Sequence, residues 1–284
     1  MKIGFIGAGK VGFTMGKYFR TQGIEVTGYF SRSIQSAQEA ADFTKTQVFT
    51  GVQDLLAVSD VLFFTLPDGA IRSVYEELRP YGIQNKIFCH CSGALTASDA
   101  FPEIEKTGAV GFSVHPLFAV SDKYHAYEEL TDVFFTLEGS AAKLSFMEER
   151  LKGIGLKVKV ISPGVKGKYH CAAALASNYV IGLLAFSSRL LEECGFSANE
   201  AERALRPLFG GNAEHIVQDG MVNALTGPLE RGDLATLKKH LDCLDGEQGK
   251  LYSLLAKELI VTAQNKHPER DYTAIKNYLI PGEG

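Results

Sequence analysis

Gly7-Ala8-Gly9-Lys10-Val11-Gly12 places glycines at the spacing G-x-G-x-x-G. The apolar run Lys2-Ile3-Gly4-Phe5-Ile6 precedes it, and Val11, Met15 and Phe19 follow at helical spacing. Between a strand and a helix each glycine has a mechanical role. Gly7 permits a tight turn, Gly9 lets the backbone approach a pyrophosphate, and Gly12 lets helix and strand pack closely. The helix N-terminus, with Ala8, Lys10 and Val11 between the glycines, would face the anion. The chemistry implied is dinucleotide binding. Nineteen residues past Gly12, where an acid commonly holds the ribose hydroxyls of NAD, this chain carries Ser31-Arg32-Ser33. A guanidinium between two hydroxyls suits a 2′-phosphate, and the position therefore selects NADP.

A second group of residues could act on a substrate. Leu66-Pro67-Asp68 closes an apolar run, where ligands of open parallel sheets bind; Asp68 reads equally as a helix N-cap. In His90-Cys91-Ser92-Gly93, Ser92 could offer a hydroxyl to a carbonyl and Gly93 permits close approach, while His90 reads first as a buried ring. Pro116 restricts His115 to an extended conformation at the end of another run, which aims its imidazole into the ligand crevice. Histidine is the side chain suited to proton donation near neutral pH, and His115 is the first candidate for that role. His170, Ala174 and Asn178 share one helical face; Asn178 could orient a carbonyl, and His170 is the second candidate donor. Asp233 reads as the N-cap of a helix beginning at Leu234, and Arg231 as a fork for a carboxylate.

The elements that must position these groups fall into two regions. Residues 1–162 alternate helical stretches with β-rich runs: Glu25–Phe30, Gln47–Phe49, Val61–Leu66, Lys86–Cys91, Ala109–Val114, Asp132–Leu137 and Leu156–Ile161. Nearly continuous apolar strands such as Val61-Leu62-Phe63-Phe64 describe a largely parallel sheet covered on both faces, an α/β doubly wound Rossmann domain. Residues 163–284 carry only helical patterns. The first predicted helix spans about Val165 to Cys194 and is apolar on most sides, which requires burial all round, in a domain or subunit interface. Ser197-Ala198-Asn199-Glu200 is a capping box that starts the next helix.

Composition sets limits on the function. The chain is 45% hydrophobic and 22% charged with a net charge of −4, which gives no electrostatic case for nucleic acid or an anionic membrane. The most apolar stretch, Cys171 to Phe186, is interrupted by Ser177 and Asn178, which argues against a membrane span. A first strand at Lys2 leaves no room for a targeting segment, so a cytoplasmic location is expected. Five cysteines lack a disulfide spacing. Cys89 and Cys91 are too close for a zinc knuckle and no metal is expected; Cys171, Cys194 and Cys243 read as small buried groups.

Pro67-Asp68, His90-Cys91-Ser92-Gly93-Ala94-Leu95, His115-Pro116-Leu117, Ala176-Ser177-Asn178-Tyr179 and Leu225-Thr226-Gly227-Pro228 with Arg231-Gly232-Asp233 are spread over nearly the whole chain. With them the sequence resembles the 6-phosphogluconate-dehydrogenase-like superfamily. The closer similarity is to a family related to pyrroline-5-carboxylate reductases, some of whose members act as an alternative class of ketopantoate reductase. The resemblance implies a Rossmann domain followed by an all-helical dimerisation domain, a homodimer, and a Pro67 turn against the ribose and nicotinamide. It likens His115-Pro116 to the turn of prephenate dehydrogenases whose histidine contacts the reacting oxygen. Many hydroxyacid dehydrogenases of the superfamily carry a proton-donating lysine one turn before the asparagine. Here that position is Ala174, which leaves Lys168 or His170 as substitutes.

These readings together predict an NADPH-dependent oxidoreductase that reduces a small keto acid, with ketopantoate among the candidates, or a cyclic imine, at the domain junction. The cofactor supplies hydride, and the protein orients the substrate and supplies a proton. Two alternatives stay open: a non-catalytic NADP-binding sensor or scaffold, and an enzyme passing hydride between NADP and a deazaflavin coenzyme.

Overall fold

The computed structural model describes residues 1–279. Among them eight strands form one sheet in the order β3-β2-β1-β4-β5-β6-β7-β8: β1 (Lys2–Ile6), β2 (Glu25–Phe30), β3 (Gln47–Phe49), β4 (Val61–Phe64), β5 (Ile87–His90), β6 (Val110–Pro116), β7 (Phe134–Gly139) and β8 (Lys157–Val160). Every neighbouring pair is parallel except β6 and β7, which run antiparallel with His115 opposite Thr136. The chain order reverses between β1 and β4, and at such a switch point the crevice beyond the strand ends is the ligand site of an open α/β sheet.

Burial alternates along the strands as a two-sided sheet requires. Ile3, Phe5, Val61, Phe63, Ile87 and Cys89 enter one core with Phe13, Phe19 and Leu151, while Ile6, Leu62, Phe64 and Phe88 enter the other with Leu55, Ile71, Tyr75 and Phe101. Cys91 packs on the Cys89 side. The covering helices are α1 (Lys10–Thr21), α2 (Ile34–Thr44), α3 (Val52–Val58), α4 (Asp68–Leu78), the single turn α5 (Ala97–Ala100) and α6 (Leu144–Gly153).

Beyond β8 the chain is helical: α7 (Lys166–Ala176), α8 (Asn178–Glu193), α9 (Ala198–Ala224), α10 (Pro228–Arg231), α11 (Leu234–Asp242), α12 (Gly246–Lys266) and α13 (Thr273–Leu279). The expected single helix from Val165 to Cys194 is instead two, because Ser177 leaves helical geometry at φ −122° and ψ −80°. Its side chains, expected to be buried all round, are largely exposed in this chain, Ile181 at 68% and Tyr179 at 66%. Cys171, Cys194 and Cys243 are exposed as well, which overturns their reading as buried groups. The stretch Pro163–Glu193 does meet the length and composition of a membrane crossing, contrary to the sequence reading. It is nonetheless broken at Ser177, and its first turn is hydrogen-bonded to the sheet through Lys166.

The chain forms two compact units, Met1–Ile181 and Gly182–Gly284. The sequence boundary at 162/163 marks where the strands end, whereas the compact units divide inside α8. The second unit has its own core of Leu229, Leu237, Ala256, Ile260, Ala263, Tyr272 and Ile275. Ser197 and Glu200 form the expected capping box of α9, and Asp233 caps α11 by accepting from Thr236 N–H. Lys266, at the end of α12, donates to the carbonyls of Asn223 and Leu225, and His267 pairs with Glu230 of α10.

Candidate active site

The glycine run forms the β1–α1 turn. Gly7 has φ +111°, and a Cβ there would collide with the Thr65 carbonyl at the end of β4. At Gly12 a Cβ would strike the Thr65 hydroxyl, which itself donates to Gly7 O at 2.8 Å. A Cβ at Gly9 would meet open space, and no side chain caps α1 there. The first N–H groups of α1 therefore face a clear volume, which fits a pyrophosphate. Ala8 and Val11 are half-buried against the core, and Lys10 is exposed, its ammonium donating to Ser121 O at 2.9 Å.

After β2, Ser31 is half-buried and Arg32 exposed, free to meet a phosphate. Ser33 is structural, because its hydroxyl accepts from Ser36 N–H and caps α2. The segment following β6 lies against this region. Lys123 pairs with Glu39 of α2 at 2.6 Å, and Tyr124 sets its ring edge-on to Phe13 of α1.

A chain of hydrogen bonds links the ends of β4, β5 and β6. Leu66 and Pro67 lead into α4, of which Asp68 is the first residue rather than the cap. The Asp68 carboxylate accepts from Ser92 Oγ at 2.8 Å, and that oxygen accepts in turn from the N–H groups of Ala94 and Leu95. The Ser92 hydroxyl is thus engaged on both its donor and acceptor sides. It holds the turn instead of offering itself to a substrate as the sequence suggested. Ser113 Oγ donates to Ser92 O at 3.4 Å, and the ammonium of Lys166 donates to Ser113 Oγ. His90 is fully buried; its Nδ1 accepts from Ser92 N–H at 3.1 Å, and burial, reinforced by the Lys166 charge, pushes its pKa down to about 3. It is a neutral structural ring.

His115, His170 and Asn178 come together around one cavity of about 490 Å³, whose walls include Leu117, Phe118, Ala173 and Ala176. The break at Ser177 puts Asn178 at the start of α8 rather than two turns along the same helix as His170, yet both reach the cavity. Gly93 sits between the two imidazoles: a Cβ on it would come within 2.5 Å of His170 Cδ2 and 2.8 Å of His115 Nε2. Its lack of a side chain therefore serves the meeting of two rings. Tyr169 makes a 2.7 Å hydrogen bond with His115 Nδ1. Burial, then the Lys166 ammonium, then His170, lower the His115 pKa to about 4. At neutral pH the ring is uncharged. That corrects the expectation of an imidazolium donor titrating near neutrality.

Sequence reasoning missed Lys166 and Tyr169. Lys166 is 1% exposed; burial lowers its pKa, against the opposing pull of Glu138, Cys91 and Asp68. Glu138 of β7 is also buried, its pKa raised by burial, and it accepts from Ala97 N–H at 2.7 Å. Lys168, the lysine singled out from the sequence, is exposed. The helical period held the signal, because Lys166 and His170 are four residues apart on one face while Lys168 points elsewhere.

Comparison with known proteins bears on both halves of the chain. Residues 2–92 match the family described as NADP oxidoreductase coenzyme F420-dependent, and residues 133–259 match a domain of unknown function, DUF2520. No curated protein matches the sequence. Among solved structures, protein TM1727 from Thermotoga maritima is 25% identical with a TM-score of 0.69, the alignment covering 95% of this chain and 100% of that one. A pyrroline-5-carboxylate reductase from Coxiella burnetii is 16% identical with a TM-score of 0.60, covering 94% and 97%. A reductive aminase from Aspergillus terreus, in complex with NADPH and ethyl-5-oxohexanoate, is 18% identical with a TM-score of 0.56, covering 98% and 99%. The last two likenesses are of fold. The chain is thus similar over residues 2–92 to the NADP oxidoreductase coenzyme F420-dependent family and over residues 133–259 to the DUF2520 family.

Proposed function

We propose that the protein is an NADPH-dependent reductase of a small C=O or C=N compound, a keto acid or a cyclic imine. The observation that carries this reading is the placement of the Gly9 cradle and the His115 ring on one sheet edge, at the ends of β1 and β6. Bound NADPH supplies hydride. Ser31 and Arg32 would hold its 2′-phosphate, the first turn of α1 its pyrophosphate, and Leu66-Pro67 would flank its ribose. The neutral His115 ring donates a hydrogen bond to the reacting oxygen or nitrogen and polarises it as hydride arrives, and the proton that completes the product comes from solvent. A neutral imidazole can serve as such an electrophile. Asn178 orients the same group, and the alanines of α7 give the cavity its apolar wall.

The solved structures of like fold include a pyrroline-5-carboxylate reductase and a reductive aminase, which supports the substrate class. The family description of residues 2–92 lends weight to a second reading, in which hydride passes between NADP and a deazaflavin coenzyme. The reading also includes a homodimer, with the exposed apolar faces of α7 to α9 covered by a second copy. The deciding experiment follows nicotinamide absorbance with NADPH and a panel of keto acids, cyclic imines and a deazaflavin, comparing wild type with His115→Asn. Oxidation with one class, reduced roughly 10²–10⁴-fold in the variant, is expected. No turnover with any of them would leave a sensor role in its place.

A further inference from the structure

We propose that Tyr169 is a positioning residue that holds His115 in the tautomer with its hydrogen on Nε2, so that the uncharged ring presents a donor toward the cavity. The proposal rests on the reading of His115 as the group that touches substrate, and it adds what makes that ring competent.

Three observations carry it. Tyr169 OH lies 2.7 Å from His115 Nδ1, with the two rings edge-on at 84°. Of the two polar groups in that contact, the phenol is the better donor and the bare imidazole nitrogen the better acceptor, so the hydrogen bond runs from Tyr169 to Nδ1. The bond made by one ring nitrogen fixes what the other carries, and the hydrogen is left on Nε2. That nitrogen lies over Gly93, where a side chain would block it.

The surroundings keep the ring from taking a second proton, which would abolish the distinction between its nitrogens. Lys166, Tyr169 and His170 face it from α7, and His90 from β5. Of these, Lys166 is the buried cation. Tyr169 and Lys166 are three residues apart, so one face of α7 supplies both the hydrogen bond and the charge.

The test uses the whole protein with labelled histidine, recording long-range proton–nitrogen spectra of the imidazoles between pH 8 and 5, with His115→Asn to assign the signal. His115 is expected to show a protonated Nε2 and a bare Nδ1 throughout that range. In Tyr169→Phe, a measurable Nδ1–H population is expected, with NADPH affinity unchanged and turnover of any reduced panel compound lowered roughly 10–100-fold, as for loss of a ring-orienting partner. A wild-type ring with its hydrogen on Nδ1 overturns the proposal without any variant. So does Tyr169→Phe with the wild-type spectrum. If no panel compound is reduced, the reductase reading fails while the spectra still decide the tautomer.

Discussion

The ammonium of Lys166 donates to the hydroxyl of Ser113, which pins the first turn of α7 to β6 two residues before His115. A lysine removed from water loses solvation that one hydroxyl restores only in part, and its lowered pKa reports this cost. The ring two residues on is held uncharged by its own burial first and by the same buried cation second.

Replacing Lys166 with Met should separate these effects. The variant is expected to melt lower than wild type at pH 7, because the buried Glu138 carboxyl and the Ser113 hydroxyl lose the cation they face. His115 is expected to titrate higher than in wild type, since the ammonium is one of the forces that lower it. A melting temperature at or above that of wild type, or an unmoved His115 titration, would contradict this account.

Acid should destabilise the protein well above the carboxylate range. His90 and His115 have folded pKa values of about 3 and about 4, against 6.5 for an ordinary histidine. Below pH 6.5 the unfolded chain binds protons that the folded chain refuses. Stability is therefore lost from about pH 6.5 down toward 4 for His115 and toward 3 for His90, by roughly 4 kcal/mol in total at pH 5 relative to pH 7.5. Carboxylates with lowered pKa, such as Asp99 and Glu230, lose their contribution only below their unfolded values. His125, raised by Asp122, acts in the opposite sense, but it is fully exposed. Denaturant titrations at pH 7.5, 6 and 5 measure the slope, which His115→Asn should about halve. Equal stability at pH 7.5 and 5 would refute it.

Arg32 is exposed beside the half-buried Ser31, and on the proposed reading the two would hold a 2′-phosphate. NADPH should bind more tightly than NADH, and Arg32→Ala should remove about 1.5–3 kcal/mol of that preference, the value of a charged hydrogen bond. Calorimetry with both cofactors checks it; equal affinities in the unaltered protein would assign the phosphate no partner here.

Ile181 and Val217 are 68% and 85% exposed. Exposed apolar side chains gathered on helices mark interaction surfaces, and the expected cover is a second copy of the chain. Light scattering should give twice the monomer mass, and Val217→Glu should shift the protein toward monomer. A monomeric wild type at all working concentrations would rule this out.

Where one period governs both sequence and structure, the fold was legible. β2 and β3 have the predicted limits, because β-branched and aromatic residues bounded by turn residues leave little choice. Gly7 and Gly12 stand where their spacing requires. The break at Ser177 escaped notice, since neither Ala176 nor Asn178 is a helix breaker and the stretch stays apolar on both sides. The roles of Ser92 and Lys166 were illegible for a different reason. A hydroxyl satisfied by Asp68, Ala94 and Leu95, and an ammonium seated on Ser113, are facts of long-range contact that no local pattern records.

The hydrogen bond from Lys10 to the Ser121 carbonyl implies an order of events. Lys10 opens α1, and Ser121 lies six residues past His115 on the segment that Lys123 and Tyr124 fasten to α1 and α2. On the proposed reading a phosphate at the α1 N-terminus would offer Lys10 a stronger partner than a carbonyl, and the segment leaving β6 would lose that tether. Nucleotide binding would then precede entry of the second molecule beside the imidazole. Steady-state kinetics are expected to show compulsory order, with NADPH first on and NADP last off; product-inhibition patterns of random binding would show that the tether carries no such message.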